Sequence, residues 1–127
     1  MIFLTVELVE AIHAELIERY GGSNGLRDRG LLESAVARAE NKAYYDPDAS
    51  VAEVAASLAW GLIKNHAFID GNKRVGYGAM VDFIEGNGYG LSCSQEEESA
   101  MVLRAAAGEI TEEQWTVWVM GVVAPLG

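Results

Sequence analysis

The chain has 127 residues, half of them hydrophobic, and 19 acidic against nine basic side chains give it a formal charge of −10. That length fits one domain over residues 1–127 around a single core, and no apolar run reaches the roughly 20 residues of a membrane span. The acidic balance argues against a surface built for nucleic acid, which needs a basic footprint.

The expected fold class is all-α, a compact bundle of about six helices. Thr5 caps a first helix through about Tyr20, with Val6, Val9, Ile12, His13, Leu16 and Ile17 on its apolar side and Gly21-Gly22 as its stop. Here His13 reads as a core or helix-packing residue. Asp28 caps a second helix from Arg29 to about Asn41. Ser50 with Glu53 forms a capping box before a strongly apolar helix reaching about Lys64. Asn72 opens the next helix, to about Glu85, and Gly86-Asn87-Gly88 closes it. Ser94 with Glu97 and Thr111 with Gln114 form two further boxes, for two C-terminal helices. Extended structure is expected only at Tyr89-Gly90-Leu91 and at Lys42 to Tyr45, the latter as a small flap or hairpin. Pro47 and Pro125 fall outside helix interiors, as their missing donor requires. The lone Cys93 cannot pair internally and reads as a small helix-flanking residue without chemistry. The first residues lack the basic, apolar and small-residue succession of a secretory leader, so a reducing cytoplasm is the expected compartment.

The run His66-Ala67-Phe68-Ile69-Asp70-Gly71-Asn72-Lys73-Arg74 carries the chemistry. It joins the exit of one apolar helix to the entry of the next. The loop Ala67 to Gly71 therefore lies at a helix N-terminus, where unpaired amides and the macrodipole favour anions. Gly71 permits a tight turn and close approach to a ligand. Lys73 and Arg74 add a mobile and a planar cation, and Arg can grip phosphate bidentately. Two cations in a first helical turn oppose the dipole unless an anion is bound. Asp70 beside phosphates suits Mg²⁺, which takes one or two carboxylates plus phosphate oxygens. His66 is the candidate general base, able to take a proton from an attacking hydroxyl. Phe68 points inward and anchors the loop. The set suggests phosphoryl or nucleotidyl transfer.

The run resembles the death-on-curing (Doc) branch of the Fic/Doc family, whose motif reads His-x-Phe-x-Asp/Asn-Ala/Gly-Asn-Lys-Arg. His66, Phe68, Asp70, Gly71, Asn72, Lys73 and Arg74 match every fixed position. Tyr20-Gly21-Gly22, Gly25-Leu26-Arg27-Asp28 and Gly30-Leu31-Leu32-Glu33-Ser34-Ala35 are similar to the family's N-terminal segment. The resemblance implies a helical domain with the motif between two central helices. It also implies transfer from a nucleoside triphosphate, ATP, to a hydroxyl of a target protein with Mg²⁺ present. The adenylylating Fic branch continues Gly-Asn-Gly-Arg-x-x-Arg, whereas Lys73 replaces the second glycine here and Tyr77 stands where the second arginine would be. In the Doc branch such departures accompany γ-phosphate transfer, so the resemblance implies a protein kinase, with a threonine of translation elongation factor Tu as target.

On that resemblance His66 activates the target hydroxyl and Asp70 binds Mg²⁺ or orients the nucleophile. Gly71, Asn72, Lys73 and Arg74 hold the phosphates, and Phe68 anchors the motif. Asn41 to Asp48, with Tyr44 and Tyr45, supplies a flap that aligns a target peptide, unless the tyrosines are plain packing aromatics. The resemblance implies a cognate antitoxin as partner. Part of the surface around Trp115, Trp118, Val119, Met120, Val122 and Val123 is a candidate for its docking, the rest being core. The alternatives are a Fic-type adenylyltransferase and a catalytically silent binding module. A helical DNA-binding domain is disfavoured by the acidic charge.

Overall fold

A computed structural model describes residues 1–126. Along the chain run α1 (Val6–Tyr20), α2 (Arg29–Tyr45), α3 (Val51–Asn65), α4 (Asn72–Gly86), β1 (Tyr89–Leu91), α5 (Gln95–Ala106), α6 (Glu112–Val122) and β2 (Val123–Pro125). The expected all-α bundle of six helices is what forms. Among the described residues no helix is long and apolar enough to cross a membrane.

The centre is α3. Its capping box is complete, with Ser50 Oγ accepting from the Glu53 amide at 3.1 Å and the Glu53 carboxylate accepting from the Ser50 amide at 3.0 Å. Ten of its 15 residues are buried, so it is wrapped on nearly every side. The alanines at 52, 55, 56 and 59 keep its surface low, and it packs against α2, α4 and α6. A Cβ on Gly76 of α4 would fall 2.6 Å from Ile63 Cγ1, so that approach depends on the missing side chain. Trp115 of α6 is fully buried, and its indole N–H donates to Ala56 O at 3.1 Å, which ties α6 to the same axis. Across the face of α4 lies α1, which buries Val9, His13 and Ile17 at successive helical turns.

Three local expectations need correction. The second helix does not stop near Asn41 but continues to Tyr45, so Lys42 to Tyr45 is its last turn and not a strand or flap. Asp46 leaves the helix at φ −130° because Pro47 crowds the helical conformation of the residue before it. Tyr44 and Tyr45 are 76 % and 80 % exposed and meet each other edge to face, so they are not core aromatics either. The Ser94–Glu97 box is only half formed. Ser94 Oγ accepts from the Glu97 amide at 3.1 Å, but the Glu97 carboxylate accepts from the Trp118 indole at 2.8 Å instead. The third correction is an addition: β1 pairs antiparallel with β2, in the register Tyr89↔Pro125, Gly90↔Ala124 and Leu91↔Val123.

Candidate active site

The motif loop is built by backbone pairing with the segment before α2. Ala67 O accepts from the amides of Arg27 and Asp28 at 2.8 and 3.0 Å, the Ile69 amide donates to Gly25 O at 3.1 Å, and Leu26 bridges Phe68 antiparallel. Gly25-Leu26-Arg27-Asp28 thus acts as a one-bridge strand that fixes the loop's path. The Arg27 guanidinium completes the clamp, donating to His66 O at 2.7 Å and Asn65 O at 3.3 Å, two carbonyls that the end of α3 leaves unpaired.

His66 itself caps α3 in the left-handed region, φ 52° and ψ 48°, the sole non-glycine with positive φ among the described residues. An L-residue there costs about 1–2 kcal/mol. Such a conformation held by neighbours is a mark of functional positions. Its carbonyl is gripped by Arg27 while its exposed side chain lines the cleft.

Phe68 is 3 % exposed and stacks on the His13 imidazole with ring centroids 3.8 Å apart, the burial that an anchor of the loop needs. His13 does more than pack. Its Nε2 lies 2.7 Å from Asp70 O, and since a carbonyl only accepts, Nε2 carries the hydrogen and donates. The Asp70 carboxylate accepts from the Gly71 amide at 2.8 Å and the Ser23 amide at 3.1 Å. The Ser23 amide first, then that of Gly71, holds this carboxyl below the usual range, with the charge of Arg74 adding to the effect. At Gly71 the φ of 78° favours glycine, and a Cβ there would sit a tight 3.1 Å from Ile17 Cδ1.

Asn72 corrects one assignment. Its side-chain oxygen accepts from the Phe68 amide and its Nδ2 donates to Phe68 O, both at 3.0 Å, and the residue is 9 % exposed. The side chain is therefore a clamp on the loop and is not free to grip phosphate. Arg74 donates to Gly21 O at 2.8 Å with one nitrogen, and Lys73 is exposed. Of the six helices described, α4 alone begins without a side-chain cap, and its first turn holds these two cations and no acid.

A cleft of about 500 Å³ opens over this turn. His66, Ile69, Asp70, Gly71, Asn72, Lys73 and Arg74 line one side, while Leu103, Ala106 and Ala107 at the end of α5 line the other. That α5 wall, the Arg27 clamp and the Ser23 amide were not assigned roles from the sequence. Each is a contact across 30 residues or more, and only the segment around Arg27 carried a signal, as part of the family likeness. Asp70 fits a Mg²⁺ ion, because its two oxygens keep lone pairs after accepting one amide each and phosphate oxygens can complete the shell. Among the described residues no cluster of three or more His, Cys, Asp or Glu offers another metal site. Away from the cleft, burial and then Glu98 push the Cys93 thiol up, which makes it less reactive.

The cationic start of α4, which lacks a side-chain cap, thus shares one cleft with His66 in its left-handed conformation. The profile of the Fic/DOC family matches residues 3–88, which include the whole motif loop and α4. The chain is 31% identical over 108 residues to "Protein kinase doc" of Escherichia phage P1, covering 85% of each protein. It is 38% identical over 82 residues to "Toxin Doc" of Mycolicibacterium smegmatis, covering 64% of this chain and 63% of that one. The chain belongs to the Fic/Doc family.

Proposed function

We propose that this chain is a Doc-type toxin that moves the γ-phosphate of ATP onto a hydroxyl of a translation factor, with a threonine of elongation factor Tu as the first candidate. The observation that carries the reading is the uncapped, doubly cationic start of α4 beside His66 in one cleft. Backbone amides there can hold phosphate oxygens, and Lys73 and Arg74 offset their charge. The target's hydroxyl oxygen forms the new bond to the γ-phosphorus while the bond to the bridging oxygen breaks. The nucleoside diphosphate leaves with that electron pair, and the hydroxyl proton passes to the His66 imidazole. Mg²⁺ held at Asp70 would supply further neutralisation of phosphate charge.

The names of the two relatives support the reading, one being called a protein kinase and the other a toxin. Adenylyl transfer is disfavoured by Lys73 and by Tyr77, whose hydroxyl is committed to the Glu98 carboxylate. A silent binding module would have no use for a strained histidine in the cleft. A cognate antitoxin is the proposed partner. On α6, Val117 and Met120 are 63 % and 47 % exposed and offer it an apolar strip, while Trp115, Val119 and Val122 are core. Such a toxin would act in the cytoplasm, where its target is. Incubation with ATP, MgCl₂ and elongation factor Tu should raise the target's intact mass by one phosphoryl group on a threonine. A gain of one adenylyl group, or none, would overturn the kinase assignment.

A further inference from the structure

The cleft has two chemically different halves. One is the start of α4 with its first-turn amides and two cations; the other is the apolar end of α5, where Leu103 is 55 % exposed. This inference rests on the reading that the cleft takes a nucleoside triphosphate. The phosphates then belong on the first half, which leaves the second for the sugar and base.

Little fixes that second half. Of its 12 residues α5 buries only Val102 and Ala105, against ten buried residues in α3. Met101 and Ala106 add only partly buried contacts, so few apolar contacts set the position of this helix. It is held besides by a set of side-chain hydrogen bonds from three other helices. Tyr77 of α4 donates its hydroxyl to the Glu98 carboxylate. Trp118 of α6 donates to Glu97 at 2.8 Å, and Lys64 of α3 donates to Ala105 O at 2.9 Å, next to the lining residues. The Tyr77 bond joins α5 to the same helix that begins with the cations, so it couples the two halves of the cleft directly.

We infer that Tyr77 is a positioning residue: by holding Glu98 it sets α5, and with it the apolar wall against which the nucleoside part of the donor lies. Its removal lowers affinity for the nucleoside part of the donor and leaves the phosphate half as it was.

The test is calorimetric, on the full chain in MgCl₂ buffer, with two probes. ATP touches both halves, whereas inorganic tripolyphosphate engages only the loop and α4. Tyr77→Phe, which keeps the ring and removes the donor, should weaken ATP about fivefold and leave tripolyphosphate unchanged. Glu98→Ala should reproduce that split with the tyrosine intact, and Glu98→Gln, whose amide oxygen still accepts, should keep wild-type ATP affinity. Unchanged ATP binding in both Tyr77→Phe and Glu98→Ala would overturn the inference. So would a parallel loss of both probes, since Tyr77 would then serve the fold alone. If the wild-type chain binds neither probe, the nucleotide reading itself fails and the inference falls with it.

Discussion

Phe68 ties the motif loop to the core through both its ring and its backbone. It is buried against His13, and its backbone N–H and C=O are both taken by Asn72, so ring and peptide together lock the loop that presents His66 and Asp70. Phe68→Ala should lower unfolding free energy by about 3–5 kcal/mol, read by urea titration. An unchanged midpoint would deny the anchor. Asp70 carries a pH signature. Amides from Ser23 and Gly71 stabilise its ionised form, so its folded pKa lies below the unfolded one. The stabilisation is then complete above the ordinary aspartate range, near 4, and fades as pH falls through the lowered folded value. The stability gap between wild type and Asp70→Asn should therefore shrink as pH is lowered from neutral toward the acid limit. A gap constant with pH would mean that the carboxylate charge contributes nothing. The inward turn of Asn72 was not legible in the sequence, because the same residue at a helix start can face either a ligand or its own loop. Only the position of the Phe68 backbone decides.

At the scale of elements, the helices could be read from their ends. Thr5, Asp28, Ser50 and Thr111 each supply an oxygen to an amide two or three positions into the helix, a local event that sequence spacing encodes. Contacts between distant segments were less legible. Extended backbone was expected at Lys42 to Tyr45, yet nothing before Pro47 stops the helix, and the Lys42–Asp46 pair at 3.5 Å supports its last turn. The three residues of β2 pair with a strand more than 30 positions earlier and bear no periodicity of their own. The site follows the same division. The run from His66 to Arg74 is contiguous and was recognisable, whereas Arg27, Ser23 and the α5 wall reach it only through folding. The link from α4 back into its own loop gives a prediction at this scale. Asn72→Ala leaves two buried backbone groups unpaired and should cost about 1–3 kcal/mol in chemical denaturation. A variant as stable as wild type would return Asn72 to the role of a free phosphate ligand.

Taken whole, the molecule sets a small cationic cleft inside a strongly acidic body of formal charge −10. Its ion pairs lie largely at the surface, such as Arg29 with Glu10 at 2.6 Å and Arg19 with Glu15 at 2.9 Å, and exposed pairs of this kind contribute about 0–1 kcal/mol each. With a net charge of −10, self-repulsion is expected to outweigh them. The melting temperature should rise as NaCl is raised from about 0.01 to 0.15 M, because screening relieves like charges over distances near the Debye length. A fall in scanning calorimetry would show that the attractive pairs dominate.

In the proposed reaction His66 and the cationic start of α4 act together to transfer a γ-phosphate. The most direct measurement follows label from ATP marked at either the γ- or the α-phosphate into elongation factor Tu, with wild-type chain and with His66→Ala. Transfer should come from the γ-position only and be lost in His66→Ala, while that variant's melting temperature stays close to wild type. Label arriving from the α-position, or γ-transfer that survives the substitution, would contradict it.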